Sequence, residues 1–125
     1  MKSYGKDVKV LWQDTKRIWG MPISFTHYAI IQKPGKWVKI VEESGVLSTH
    51  VEEVLAYRVD DLSVFQSLSG KLFGVGNVEI YCQDASCDTL VFKNIKDPYK
   101  VKNILTDVVE EQRAQRNVHY SEIQH

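Results

Sequence analysis

The sequence predicts a mainly β protein, a small antiparallel barrel of two packed sheets capped by one C-terminal amphipathic helix. Three observations carry that expectation. Most of the chain alternates apolar and polar residues with a period of two. The alternating runs are short and separated by Pro, Gly, Ser and Asp turns. One late segment changes to a helical period and presents a single apolar stripe, which suits the closing of an open barrel end.

In chain order, a first strand includes Val8, Val10 and Trp12. Ile23 to Ile31 is rich in β-branched and aromatic residues and stops at Lys33-Pro34-Gly35-Lys36, where Pro then Gly suit the centre of a type II turn. Trp37 to Val41 returns as the hairpin partner. After a turn at Ser44-Gly45, a strand over Thr49 to Tyr57 places Val51, Glu53, Leu55 and Tyr57 on one face. Leu62 to Gln66 follows a bend at Asp60-Asp61. Residues 67 to 76 carry Gly70, Gly74 and Gly76 and read as a turn or one short helical turn. Positive φ is expected at Gly74 and Gly76, and Leu68, Leu72 and Phe73 are expected to plug one barrel end. Val78, Ile80 and Cys82 then share one strand face, as do Leu90 and Phe92 after the loop.

The helical segment has Val101, Ile104, Leu105, Val108 and Val109 at i, i+3, i+4, i+7 and i+8. Asp97 is a suitable N-cap and Pro98 suits the first helical position, so a helix is expected from Pro98 to about Arg113. The expected organisation is one domain over residues 1–116 with a frayed tail over 117–125.

Length and charge bound the function. With 125 residues the chain is one domain of ordinary size. Basic and acidic residues number 16 each, so no general basic coat for nucleic acid exists. The charge is divided, however: residues 1–58 carry a net +3 and residues 59–125 a net −3. No signal-like or membrane-spanning apolar run is present, which makes the cytoplasm the expected location, with a peripheral position at the inner face of the membrane as an option.

Several of these residues resemble a known family. Tyr57-Arg58-Val59-Asp60-Asp61-Leu62, Gln66-Ser67-Leu68 and Lys71-Leu72-Phe73-Gly74-Val75-Gly76 look like the central signature of bacterial pleckstrin-homology (PH) domains of uncharacterised function. Lys93-Asn94-Ile95-Lys96-Asp97-Pro98 followed by Val101 resembles that family's entry into its last helix, Val109 to Arg113 its charged end, and Phe25-Thr26-His27-Tyr28 the start of its barrel. The resemblance spans about Trp12 to Arg116 and implies a PH-like barrel. The stretch from Tyr28 to Gly45 departs from it, being longer and holding a basic turn where the family has a shorter acidic one. Similarity of fold to eukaryotic PH domains does not transfer their lipid specificity. Within the signature, Tyr57, Arg58, Asp61, Gln66, Gly74 and Gly76 are expected to serve geometry. Arg58 beside Asp60 and Asp61 could form an ion pair that fixes the bend, or bind an anion.

Catalytic motifs are missing. The cysteines Cys82 and Cys87 face opposite ways by parity and read as free thiols, although a bulge would let them pair; they supply no zinc-ligand spacing. His27, His50, His119 and His125 are scattered, and no nucleophile elbow, phosphate loop or metalloprotease motif occurs. The expectation is therefore a chain without enzymatic activity, catalytic residues, metal or cofactor. The sharpest functional feature is the basic hairpin of Lys33, Lys36, Trp37 and Lys39, a candidate contact for anionic lipid headgroups. The favoured reading of the same lysines is that they are solvated edge charges that deter strand addition. Sequence reasoning favours a protein-binding or self-assembly module, with a protein partner or second copy held at a sheet edge or beside the helix. A peripheral module on an anionic membrane surface is the alternative, and no nucleic-acid partner is expected.

Overall fold

A computed structural model describes residues 7–19, 21, 23–82 and 89–124, with side-chain surroundings through residue 116. Among these residues the strands are β1 (Lys9–Thr15), β2 (Thr26–Lys33), β3 (Trp37–Ser44), β4 (His50–Leu55), β5 (Val59–Phe65), β6 (Val75–Cys82) and β7 (Leu90–Lys96). A 3₁₀ turn over Ala56–Arg58 joins β4 to β5, α1 (Leu68–Phe73) joins β5 to β6, and α2 (Pro98–Gln124) ends the chain. The strands form two antiparallel sheets in simple sequential order, β1-β2-β3-β4 and β5-β6-β7.

The period-two pattern gives each sheet one apolar face, and the two faces meet. Tyr28, Ile30, Val38, Ile40 and Val54 from the first sheet pack with Val78, Ile80, Leu90 and Phe92 from the second. Val101, Leu105 and Val109 of α2 complete the core, so the predicted stripe is the buried one. Full burial of a side chain such as Leu105 contributes about 2 kcal/mol. Three aromatic rings form the centre: Trp12 stacks on Phe92 with centroids 5.3 Å apart, and Tyr28 meets Phe92 at 4.8 Å. The Tyr28 hydroxyl accepts a hydrogen bond from the Lys93 backbone N–H at 3.1 Å, linking the sheets through a buried polar atom. Burial pushes this phenol up to about 12, with a further push from Glu42.

The sheets do not close into one continuous ladder. Between β1 and β7 they are fastened by the Arg17 N–H, which donates to the Asn94 carbonyl at 2.8 Å, and by Asp14. The Asp14 carboxylate accepts from the Lys96 N–H at 3.0 Å and pairs with the Arg17 guanidinium at 3.2 Å.

The turns follow the sequence reading. Lys36 N–H closes on the Lys33 carbonyl at 2.9 Å, and Gly35 sits at φ +78, as a type II turn requires. Gly45 has φ +124, and a Cβ there would lie 1.8 Å from the Ser48 carbonyl oxygen. Asp97 lies before α2 with φ +50, and its carbonyl accepts the Val101 N–H at 3.2 Å.

Five expectations need correction. The strand expected to reach Tyr57 ends at Leu55 and passes into the 3₁₀ turn. The helix expected to end near Arg113, with a frayed tail after residue 116, runs on to Gln124. Apolar periodicity marks where a helix packs, not where it stops; once nucleated, each further helix-forming residue adds one backbone bond. Gly74 has the expected positive φ of +70, whereas Gly76 does not; a Cβ at Gly76 would lie 2.9 Å from both the Phe65 carbonyl oxygen and the Pro98 ring. Leu68, Leu72 and Phe73 plug nothing and stand exposed. Cys82 is disulfide-bonded, not a free thiol. The other cysteine of the sequence, Cys87, on which the parity argument rested, lies outside the described residues.

Candidate binding surfaces

The predicted basic hairpin is present, but its charges are partly engaged. Lys33 and Lys36 flank the β2–β3 turn. Trp37 is half-buried and packs on a small cluster of Ala29, Ile31 and Val41 on the outer face of the first sheet. Lys39 lies over the Trp37 ring, 4.4 Å from its centroid, and pairs with Glu53 at 3.3 Å. That carboxylate offsets the cation best placed to assist the tryptophan, leaving the turn lysines as the hairpin's remaining basic groups. Such a sparse pair is a weak cradle for an anion.

The signature residues take the following places. Gln66 donates from its side-chain amide to the Val75 carbonyl at 3.1 Å, tying the entry of α1 to the start of β6. Tyr57 and Arg58 stack, with the Arg58 guanidinium 5.9 Å from the Tyr57 ring, and Arg116 of α2 covers the same ring at 3.8 Å. Asp61 accepts the Leu62 N–H at 2.9 Å beside a register shift in β5. Gly74 caps α1 and Gly76 lets Pro98 approach.

The structure brings together two surfaces that motif reasoning missed. The first is a groove of about 300 Å³ between β5, an edge strand of the second sheet, and α2. Val59, Leu62 and Val109 give it apolar walls; Asp60, Asp61 and Glu110 supply carboxylates, and Lys102 and Arg113 supply cations. The Arg113 guanidinium donates to the Val59 carbonyl, which fastens the helix to one end of the strand edge. The second is a site of about 280 Å³ where α1 meets the β1–β2 segment, lined by Arg17, Trp19, Ser67, Ser69, Phe73 and Asn94 among others. Trp19 meets Phe73 edge to face, with centroids 6.2 Å apart. Ser67 caps α1 by accepting the Gly70 N–H at 3.0 Å.

The His27 imidazole is bonded to the Thr15 hydroxyl at 2.9 Å, the ordinary satisfaction of a strand histidine. Among the described residues no group of three or more His, Cys, Asp or Glu side chains could hold a metal ion, and no helix is long and apolar enough to cross a membrane.

Compared with known proteins, the chain matches no family model, no curated protein and no solved structure.

Proposed function

We propose that this chain is a non-catalytic binding module that holds an extended segment of a protein partner, or of a second copy, in the groove between β5 and α2. The observation that carries this reading is the position of β5. It is a sheet-edge strand, and the groove along it has apolar walls bordered by charges of both signs. Extended peptides add to such edges through backbone hydrogen bonds, while flanking side-chain sites select their sequence. The Tyr57 to Gly76 signature, with its resemblance to bacterial PH domains, fits a binding scaffold of this kind, and the missing catalytic motifs support a role without cofactor or metal.

The location is proposed with it. A cytoplasmic site, peripheral to a membrane or free of it, fits the missing apolar spans. The Cys82 disulfide pulls the other way, since such bonds persist in oxidising compartments.

The test is selection of displayed random peptides on the full chain, followed by backbone amide shift mapping. Enriched peptides should perturb β5 and α2 amides, and Thr106→Arg, at a half-buried position lining the groove, should abolish their binding while the thermal melt stays cooperative. No enrichment, or shifts confined to other strands, would sink the proposal.

A further inference from the structure

From the surface formed by α1 and the β1–β2 segment we infer a docking site for the surface of an anionic lipid bilayer, at a place separate from the basic hairpin. No residue of this site lines the β5–α2 groove. The inference therefore stands apart from the peptide reading.

The first ground is protrusion. Leu68 and Leu72 are 86% and 81% exposed and lie at i and i+4 of α1, so they project side by side. Trp19 is 77% exposed, and its ring leans on Phe73, which is itself half-exposed. Large apolar side chains that stand clear of a surface suit insertion into the headgroup boundary, where Trp is favoured by its apolar ring and polar N–H.

The second ground is how Trp19 is held. Its backbone has φ +56, a left-handed conformation that bulky L-residues rarely adopt. Neighbouring bonds enforce it: Ile18 and Met21 exchange N–H to carbonyl bonds at 2.9 and 3.0 Å, and the Ser24 hydroxyl donates to the Lys16 carbonyl at 2.6 Å. A strained residue kept in place by its surroundings and left exposed points to a role at the surface.

The third ground is charge. The whole chain is neutral, yet no Asp or Glu occurs from Thr15 to Val41, nor from Leu62 to Val78. These two stretches supply the lining of the site apart from Asn94 of β7. Lys71 lies on the Leu68–Leu72 face of α1, and Lys16 and Arg17 open the β1–β2 segment. Asp14 offsets Arg17 at 3.2 Å, which leaves Lys71, on the face of α1 that carries the two leucines, as the cation beside the apolar residues, with Lys16 next to Arg17 in the chain. A surface with protruding aromatic and aliphatic groups, lysines and no carboxylate of its own segments is complementary to anionic lipid.

The test is flotation of the full chain with vesicles of phosphatidylcholine alone, or of phosphatidylcholine mixed with phosphatidylglycerol, at low and physiological salt. Recovery on the anionic vesicles is expected, with a blue shift in tryptophan emission that Trp19→Ala removes. Leu68→Ser with Leu72→Ser should weaken partitioning by at least about tenfold, because each change removes an exposed apolar group from the contact. Circular dichroism melting should be unchanged, since both side chains are already in water. Lys36→Glu should leave recovery unchanged. Failure to float at low salt, recovery unaffected by the leucine changes, or recovery abolished by Lys36→Glu would each overturn the inference. So would a dimer in solution that the leucine changes dissolve, since a second copy would then be the occupant.

Discussion

Glu42 and Glu52 face each other directly across β3 and β4, a pairing of like charges that strand geometry disfavours. Burial first, and then Glu52, pushes the Glu42 carboxyl above its usual range, while Lys93 and His50 pull the other way. A carboxyl whose folded-state pKa is raised binds its proton more tightly in the folded chain. Its favourable contribution is therefore present at low pH and is lost as pH rises through the folded-state value. Glu52→Gln should raise stability near pH 7 by about 0.5 kcal/mol, an amount tempered by the exposure of these groups. The gain should shrink as pH falls and Glu42 takes up its proton, and urea titrations at neutral and at acidic pH would measure it. Tyr28 has the same sign at the alkaline end: its phenol is held neutral to about 12, so stability should fall as pH rises above 10. Tyr28→Phe should flatten that fall in a thermal melt series. It should also cost about 1 kcal/mol at neutral pH through loss of the acceptor for the Lys93 N–H.

At the scale of elements, α1 inverts the usual arrangement. In an amphipathic helix the large apolar residues face the core, but here Gly70 is buried and Leu68 and Leu72 look outward. The cause is proximity: a Cβ on Gly70 would lie 2.7 Å from the Val75 carbonyl oxygen, so only a glycine lets the turn rest against β6. Gly70→Ala sets a gain of about 1 kcal/mol in helix propensity against a backbone clash worth about 1–3 kcal/mol. The clash should win, and equilibrium unfolding would show net destabilisation. Gly74→Ala is a useful contrast, since no atom lies within 4 Å of its would-be Cβ and only the positive φ opposes it. The same helix shows how far the sequence could be read. Apolar residues in the Leu68 to Phe73 run were visible, but composition alone does not say which side of a six-residue helix meets the protein. The mid-helix glycine was the signal for the inward side, whereas the sequence reading takes it only as part of a turn or one short helical turn. The strands fared better because alternation carries its own facing information: Val78 and Ile80, and Leu90 and Phe92, are buried as their parity predicts. A sheet edge or the helix side was legible as a place for a partner, but the particular β5–α2 groove was not, since it joins Val59 and Leu62 to Val109 and Arg113, distant in sequence, whose patterns are those of an ordinary edge strand and an ordinary helix. The hairpin lysines were legible in place, but not in state, because the pairing of Lys39 with Glu53 depends on the β3–β4 register.

Across the whole molecule, the two proposed surfaces use different chemistry. The β5–α2 groove mixes carboxylates with cations and suits a peptide backbone, whereas the α1 surface combines large apolar groups with lysines. Together they would allow a chain to rest on one partner while holding another, the arrangement in which weak individual contacts become useful through high local concentration. The α1 surface stands apart from the folding core, whereas the groove shares Val59 and Val109 with it. Changes at Leu68 and Leu72, or at the charged rim of the groove, should therefore separate binding from stability, and changes at the two shared valines should not.

The fastening between β1 and β7 has a consequence for how the molecule breathes. Full ladders run between neighbours such as β2 and β3, paired over eight positions, but the two sheets meet at this seam through the Arg17 to Asn94 bond and the Asp14 carboxylate. An opening there would release few backbone bonds while leaving each sheet intact, so it lies at the low-energy end of the protein's excursions. The amide protons of Arg17 and Lys96 should exchange with solvent deuterium well before those of Ile30 and Ile40. Asp14→Ala should accelerate the exchange of Lys96 while leaving the central hairpin slow; uniform acceleration at all four amides would mean that the sheets part only when the whole chain unfolds. The molecule would then behave as a clasped cuff, with Asp14 as its button.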